Sequence, residues 1–195
     1  MAQELEFETK TLVLSDEFKA LHTFFQTTNQ QATTQHNHYF ETLDFGLKDA
    51  GSALRIREKN GKSTLTLKQP AHSGGLLETH QSVTEDEQKV AIHKNKLPDG
   101  EVLERVHSLQ VQSNDLQFIG TLTTERLEFP YDGGTVCLDK SSYLGVIDYE
   151  LEFEGTSMEH AEQILTSILK QTNIQRKNTP NKVARFFAQK ASSHS

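Results

Sequence analysis

Tryptophan is absent from the 195 residues, and cysteine occurs once. A lone Cys137 allows no internal disulfide, so a core and not a cross-link must hold the chain; its apolar strand neighbours predict a buried structural thiol. No apolar run approaches the roughly 18 residues of a membrane-spanning helix, and no membrane partner is expected. The opening Met-Ala-Gln-Glu runs directly into an acidic strand, with neither a basic nor an apolar leader segment, and predicts a cytoplasmic protein. Positive charge is also in short supply. A net charge of −7 argues against a protein that grips duplex nucleic acid by general attraction to phosphates. Linkers rich in proline and glycine are missing, and no shift in composition divides the chain. One domain over residues 1–190 is therefore expected, followed by a frayed tail at 191–195. Length and apolar content are ample for a single core. Nothing in the chain speaks to its oligomeric state.

What the sequence has in quantity is alternation. In Glu4-Leu5-Glu6-Phe7-Glu8-Thr9-Lys10, three glutamates and the lysine share one face of a strand, and the apolar residues take the other. The pentapeptide Glu-Leu-Glu-Phe-Glu returns at 150–154. Carboxylates two apart on a strand lie about 6.8 Å from each other and repel unless cations face them. The two acidic strands are therefore expected to lie near each other and jointly hold divalent metal.

The remaining elements follow from periodicity and turn chemistry. Ser15 can cap a helix carrying Phe18, Leu21, Phe24 and Phe25 at helical spacing. A polar loop then leads to a strand at 36–42. Strands at 52–59 and 62–69 are joined by Asn60-Gly61, a strong hairpin signal. In this hairpin Arg55, Arg57, Lys59, Thr64, Thr66 and Lys68 share faces opposite Leu54, Ile56, Leu65 and Leu67. A strand at 76–83 carries Glu78 and His80 on one face. Thr84 with Glu87 forms a capping box for a helix to about residue 95, and Val102, Leu103, Val106 and Leu109 mark another. Strands resume at 116–129, 135–141 and 147–154. Thr156 with Glu159 caps a helix bearing Ala161, Ile164, Leu165, Ile168 and Leu169, and Thr179-Pro180 precedes a short final one.

Eight strands with one apolar and one charged face permit two architectures. The charged faces can meet solvent around an apolar sandwich, or the sheet can close with the charges inward and helices on the outside. The carboxylates gather on the first and last-but-one strand groups, and the cations gather on Arg55, Arg57, Lys68 and Arg126. Such segregation suits a site with a metal end and an anion end.

The order of these motifs resembles the CYTH superfamily, the triphosphate tunnel metalloenzymes. Glu6-x-Glu8-x-Lys10 matches its N-terminal signature. Arg55-x-Arg57, Thr66-Leu67-Lys68-Gln69-Pro70, Arg126, Leu138-Asp139, Glu150-x-Glu152 and Asn181-Lys182-Val183-Ala184-Arg185 follow in the family's order across nearly the whole chain. The pattern is most similar to stand-alone bacterial members, often labelled adenylate cyclases. The resemblance implies an α+β fold: an eight-stranded antiparallel closed β-barrel, the triphosphate tunnel, with helices packed outside. It further implies metal-dependent hydrolysis of inorganic triphosphate or a related organic triphosphate, with Mg²⁺ or Mn²⁺ bridging phosphate oxygens and activating a water. On this reading Glu6, Glu8, Asp139, Glu150 and Glu152 hold metal. Lys10, Arg55, Arg57, Lys68, Arg126, Lys182 and, less centrally, Arg185 hold phosphate, with Glu78 a further candidate; Glu6, Glu8, Lys10, Glu150 and Glu152 carry the catalysis.

This chain departs from the family in two places: no basic residue precedes Glu78, and Thr124 stands where many members carry lysine. An adenylyl cyclase and a non-catalytic triphosphate- or polyphosphate-binding module are the alternatives. Other signals are weaker. Gly61-Lys62-Ser63 resembles a P-loop tail but lacks its first glycine and the helix that should follow. His36-x-His38 has no third zinc ligand at a recognisable spacing.

Overall fold

Eight antiparallel strands close into a barrel in the order β1-β5-β4-β3-β2-β6-β7-β8, with the helices outside it. The strands are β1 (Ala2–Val13), β2 (Thr33–Glu41), β3 (Ala53–Lys59), β4 (Lys62–Pro70), β5 (Leu76–Val83), β6 (Gln117–Tyr131), β7 (Gly134–Tyr143) and β8 (Val146–Gly155). The computed structural model describes residues 2–71 and 74–192. Of the two architectures that the alternation allows, the chain adopts the closed one. By contact density it forms two compact units: residues up to Glu6 with Gln35–Leu122, and Phe7–Thr34 with the residues from Thr123 onward.

In the first unit, the β3–β4 hairpin turns through Asn60 and Gly61, both at positive φ (53° and 70°). Such a turn matches the right-handed twist of the strands and fixes the register Arg55↔Thr66 and Lys59↔Lys62. Leu54, Ile56, Leu65, Leu67 and Val83 form the apolar face. They pack beneath Ala91 of α3 (Glu85–Lys94) and Val102, Leu103 and Val106 of α4 (Glu101–Ser108). Each fully buried Leu or Ile of this kind contributes about 1.5–3 kcal/mol. The Thr84–Glu87 capping box forms as its residues predict: the Thr84 hydroxyl accepts from the Glu87 N–H at 3.3 Å, and the Glu87 carboxylate accepts from the Thr84 N–H at 2.8 Å. Periodicity gave no hint of α2 (Gly46–Asp49), too short to show an apolar stripe. The buried Glu41 carboxylate organises it, accepting from the N–H groups of Thr42, Leu47 and Lys48 at 2.8, 2.9 and 3.0 Å.

In the second unit, Val13, Leu127, Val136, Leu138, Leu151 and Phe153 pack under α1 (Ser15–Phe24) and α5 (Met158–Thr172), which contribute Leu21, Ala161, Ile164, Leu165, Ile168 and Leu169. The helix starts differ from the predicted caps by one or two residues. Leu14, not Ser15, is the N-cap of α1, and its N–H is satisfied by the Glu17 carboxylate at 2.6 Å. Ser157, not Thr156, caps α5 by accepting from the His160 N–H at 3.1 Å. The last helix, α6 (Lys182–Ser192), is capped by Asn181, which accepts from the Ala184 N–H at 2.8 Å. The Thr179 hydroxyl instead accepts from the Leu12 N–H, also at 2.8 Å, tying the α5–α6 connection to β1. Ala191 and Ser192, expected in the tail, belong to α6; residues 193–195 of that expected tail lie outside the described residues.

Candidate functional site

The charged strand faces carry one ionic cluster in each unit. In the second unit, register alone sets three carboxylates side by side. β1 pairs with β8 so that Lys10 lies opposite Glu152 and Glu8 opposite Glu154, which bears out the proximity expected of the two acidic strands. Across the next ladders Asp139 opposes both Glu150 and Arg126.

Side chains then close the cluster. Arg126 donates through Nε and Nη2 to the two oxygens of Asp139, each at 2.7 Å, and through Nη2 to Glu152 at 3.2 Å. Lys10 donates to Glu8 at 2.8 Å and to Glu152 at 3.4 Å. From α6, the Lys182 ammonium contacts Glu150 Oε1 and lies 2.8 Å from Asp139 Oδ2 and 3.6 Å from Glu152 Oε2. Arg185 donates to Glu150 at 2.7 Å, to Asp148 at 3.0 Å and to the Pro180 carbonyl at 2.6 Å, clamping α6 onto β8.

Burial is nearly complete: Asp139 and Glu150 are 0% exposed and Glu152 3%. Burial alone would push a carboxyl group's pKa up, yet Lys182 and Arg126 outweigh it and hold Asp139 below the ordinary carboxylate range. Conversely, burial disfavours the charged Lys182 and Lys10, but their carboxylate neighbours raise both above the usual lysine value.

One carboxylate oxygen from each of Asp139, Glu150 and Glu152 lies within 4.8 Å of the other two. Hard divalent cations bind oxygens at about 2.0–2.1 Å for Mg²⁺, so ligands on opposite sides of the ion stand about 4.2 Å apart. Three carboxylates this close match such an ion in both size and donor type. A second group, Cys137 with Glu152 and Glu154, meets the same distance limit. Cys137 is buried as predicted, but on the charged face. Burial pushes its thiol pKa far up, so it stays protonated and is poorly suited to nucleophilic attack.

The first unit's cluster is richer in cations. Lys68 bridges Glu6 at 2.6 Å and Glu78 at 3.0 Å, Arg55 lies 3.6 Å from Glu78, and Arg57 donates to Asn37 at 3.0 Å. Burial works against ionisation of Glu78, but Arg55, Lys68 and Arg57 prevail and bring its pKa down to about 2. His80 completes the group, its Nε2 3.5 Å from Glu78 and its Nδ1 3.0 Å from the Thr66 hydroxyl.

The predicted site residues thus fall into two sets. Lys10, Arg126, Asp139, Glu150, Glu152, Lys182 and Arg185 are brought together in one, with Glu8 attached through Lys10. Arg55, Arg57, Lys68 and Glu6 belong to the other. The carboxylate trio that matches an ion contains neither Glu6 nor Glu8. Sequence reasoning missed Asp148, which anchors Arg185 and accepts from the Tyr143 hydroxyl at 2.8 Å. Its signal was present, because Asp148 extends the period-two row of Glu150, Glu152 and Glu154. Thr124, standing where many family members carry lysine, is buried and shares a hydrogen bond with Ser141 at 3.2 Å. His38 is engaged by the Thr121 hydroxyl at 2.8 Å and by Gln88, and takes part in no metal-sized group among the described residues.

Known proteins bear out the family resemblance. The model of the CYTH domain matches residues 4–187. The Bacillus subtilis (strain 168) protein named "Putative triphosphatase YjbK" is 41% identical over 193 residues, covering 99% of this chain and 100% of that protein. A Bacillus halodurans protein, described with its crystal structure as a "putative adenylate cyclase", is 48% identical with a TM-score of 0.91, covering 96% of this chain and 100% of its own. The Hippeastrum protein HpAC1, described as a "putative adenylyl cyclase" with a dominant triphosphatase activity, is 26% identical with a TM-score of 0.77 over 94% of this chain and 96% of its own. With the family model spanning nearly the whole chain and the barrel closed as that family's resemblance implies, this protein is a member of the CYTH domain family.

Proposed function

We propose that this protein is a cytoplasmic, divalent-metal-dependent triphosphatase that hydrolyses inorganic triphosphate or a related organic triphosphate. The observation that carries the proposal is the buried Asp139–Glu150–Glu152 trio, spaced for one hard cation and ringed by Lys10, Arg126 and Lys182. A triphosphate carries about four to five negative charges near neutral pH, and a site rich in ionised carboxylates can take it only with compensating cations. A bound Mg²⁺ or Mn²⁺ supplies charge neutralisation and a more acidic water.

The chain's own residues do the rest. Asp139, Glu150 and Glu152 hold the ion, with Glu8 joined to them through Lys10; the family resemblance implies a metal-holding role for Glu6 and Glu8 too. Arg126, fixed in plane by its two bonds to Asp139, presents its remaining N–H to a phosphoryl oxygen. Lys10, Lys182 and Arg185 neutralise phosphate charge and orient the chain of phosphates, and the family resemblance gives Arg55, Arg57 and Lys68 a phosphate-binding role as well. No protein nucleophile is needed, in keeping with a protonated, buried Cys137.

The test is release of phosphate from tripolyphosphate with Mg²⁺ or Mn²⁺ between neutral and alkaline pH. Absence of turnover with both metals would sink the proposal. The names borne by two relatives favour a second reading, adenylyl cyclase action, in which the ATP 3′-hydroxyl attacks the α-phosphate. Chromatography of an ATP reaction separates the two, since only a cyclase forms cyclic AMP and pyrophosphate.

A further inference from the structure

The Lys182 ammonium occupies a place that its side chain alone does not explain. It touches Glu150 Oε1, lies 2.8 Å from Asp139 Oδ2 and sits 3.6 Å from Glu152 Oε2. These three residues supply the metal-sized oxygen trio. A lysine that served only to bind phosphate would gain nothing by standing among all three carboxylates. The arrangement is that of a cation in a cation site.

Lys182 is also placed to leave. It is the first residue of α6, next to the exposed Asn181, and its side chain is 13% exposed while those of Asp139 and Glu150 are 0%. Three residues on, Arg185 holds the helix through Asp148 and the Pro180 carbonyl, outside the trio, as well as through Glu150 within it. The helix therefore keeps an anchor when the lysine lets go.

We infer that Lys182 is the resident counter-cation of the carboxylate trio, displaced by the divalent ion and thereby delivered to a phosphate oxygen. The inference rests on the metal-holding role proposed above for Asp139, Glu150 and Glu152. A dication seated among the same three carboxylates competes with the ammonium for space and repels its charge, so entry of one drives exit of the other. The exchange adds one positive charge to the trio and frees another for the incoming anion. Before the ion arrives, the lysine joins Arg126, Lys10 and Arg185 in compensating the three buried carboxylates. By linkage, the factor by which docked Lys182 weakens metal binding equals the factor by which metal weakens Lys182 docking.

The experiment is calorimetric titration of the full chain with Mn²⁺, with no phosphate compound present, for the wild type and for Lys182→Met. Removing the competitor is expected to tighten Mn²⁺ binding about tenfold or more. Equal or weaker binding by the variant, or binding by neither protein, overturns the inference. Hydrogen exchange on the wild type gives a second readout that does not depend on the variant's folding. Saturating Mn²⁺ should speed amide exchange over 182–184, ahead of the Arg185 anchor, and leave the rest of α6 unchanged; an unchanged or slower exchange over 182–184 also overturns it. Tripolyphosphate hydrolysis by the wild type is scored separately. Tightened Mn²⁺ binding without turnover sinks the proposed hydrolase and leaves the exchange standing, whereas turnover with untightened binding does the reverse.

Discussion

Asp139 has no solvent exposure, and it gives both of its oxygens to Arg126 and one of them also to Lys182. Removing its charge leaves a buried guanidinium and a buried ammonium short of a partner, so Asp139→Asn should lose about 3–5 kcal/mol of stability, measured by urea unfolding at pH 7. Glu78 behaves as a pH-dependent counterpart in the other cluster. Its folded pKa, about 2, lies below the ordinary 4.5, so the unfolded chain takes up the proton first. Its stabilising contribution is therefore complete above about 4.5 and is lost as pH falls towards 2. The stability gap between wild type and Glu78→Gln should be widest at neutral pH and close through that window; a gap constant from pH 7 to 3 would contradict the assignment. Which residues carry charge toward which face was legible from alternation. Which carboxylate meets which cation was not. A period of two assigns a face, whereas an ion pair depends on register across strands that lie far apart in sequence, as Lys10 and Glu152 do. The role of Lys182 was least legible, because a basic residue near a phosphate motif suggests an anion contact and not a place among acids.

At the scale of elements, two glycines at the ends of β7, Gly134 at its start and Gly145 in the turn after it, separate conformational from steric demands. Gly145 sits at φ +79° with open space where a side chain would go, so Gly145→Ala should cost about 1–2 kcal/mol through backbone strain alone. For a domain of this size that is a melting-temperature drop of roughly 2–4 °C per kcal/mol. Gly134 is different. An added Cβ would stand 2.3 Å from the Glu154 carbonyl oxygen and 2.5 Å from the Phe153 ring, and the ladder fixes that carbonyl. Gly134→Ala should lower the melting temperature well beyond Gly145→Ala, and calorimetry on the pair tests the order. Strands and hairpins were readable because turn residues and alternation agree at Asn60-Gly61. Helix starts were less so. Where two or three hydroxyl or amide residues adjoin, as at Thr156-Ser157 and Thr179 to Asn181, each is a chemically adequate cap. The choice falls to the one that the tertiary path leaves at the helix end. The four-residue α2 is organised by the Glu41 carboxylate six and seven residues before its bonded N–H groups, and the burial of that carboxylate is what no sequence pattern announces.

For the whole molecule, a ligand that binds only the folded chain must raise its stability by mass action, about 2.7 kcal/mol at a hundredfold excess over the dissociation constant. Mn²⁺ should therefore raise the melting temperature, tripolyphosphate with Mn²⁺ should raise it further, and chelator should reverse the metal's effect. Replacing Glu152 with Gln should remove most of the Mn²⁺ shift. β1 has a consequence of another kind. It pairs with β5 over Ala2–Glu6 and with β8 over Phe7–Val13, where Val13 finds its partner in Tyr149. β1 is thus made before either of its partners, and its partner for residues 7–13 lies about 140 residues further along the chain. Until β8 is made, that stretch of β1 is an open edge on which another nascent chain can pair. The alternating glutamates of its first ten residues, whatever they hold in the finished barrel, also keep that waiting edge soluble by mutual repulsion.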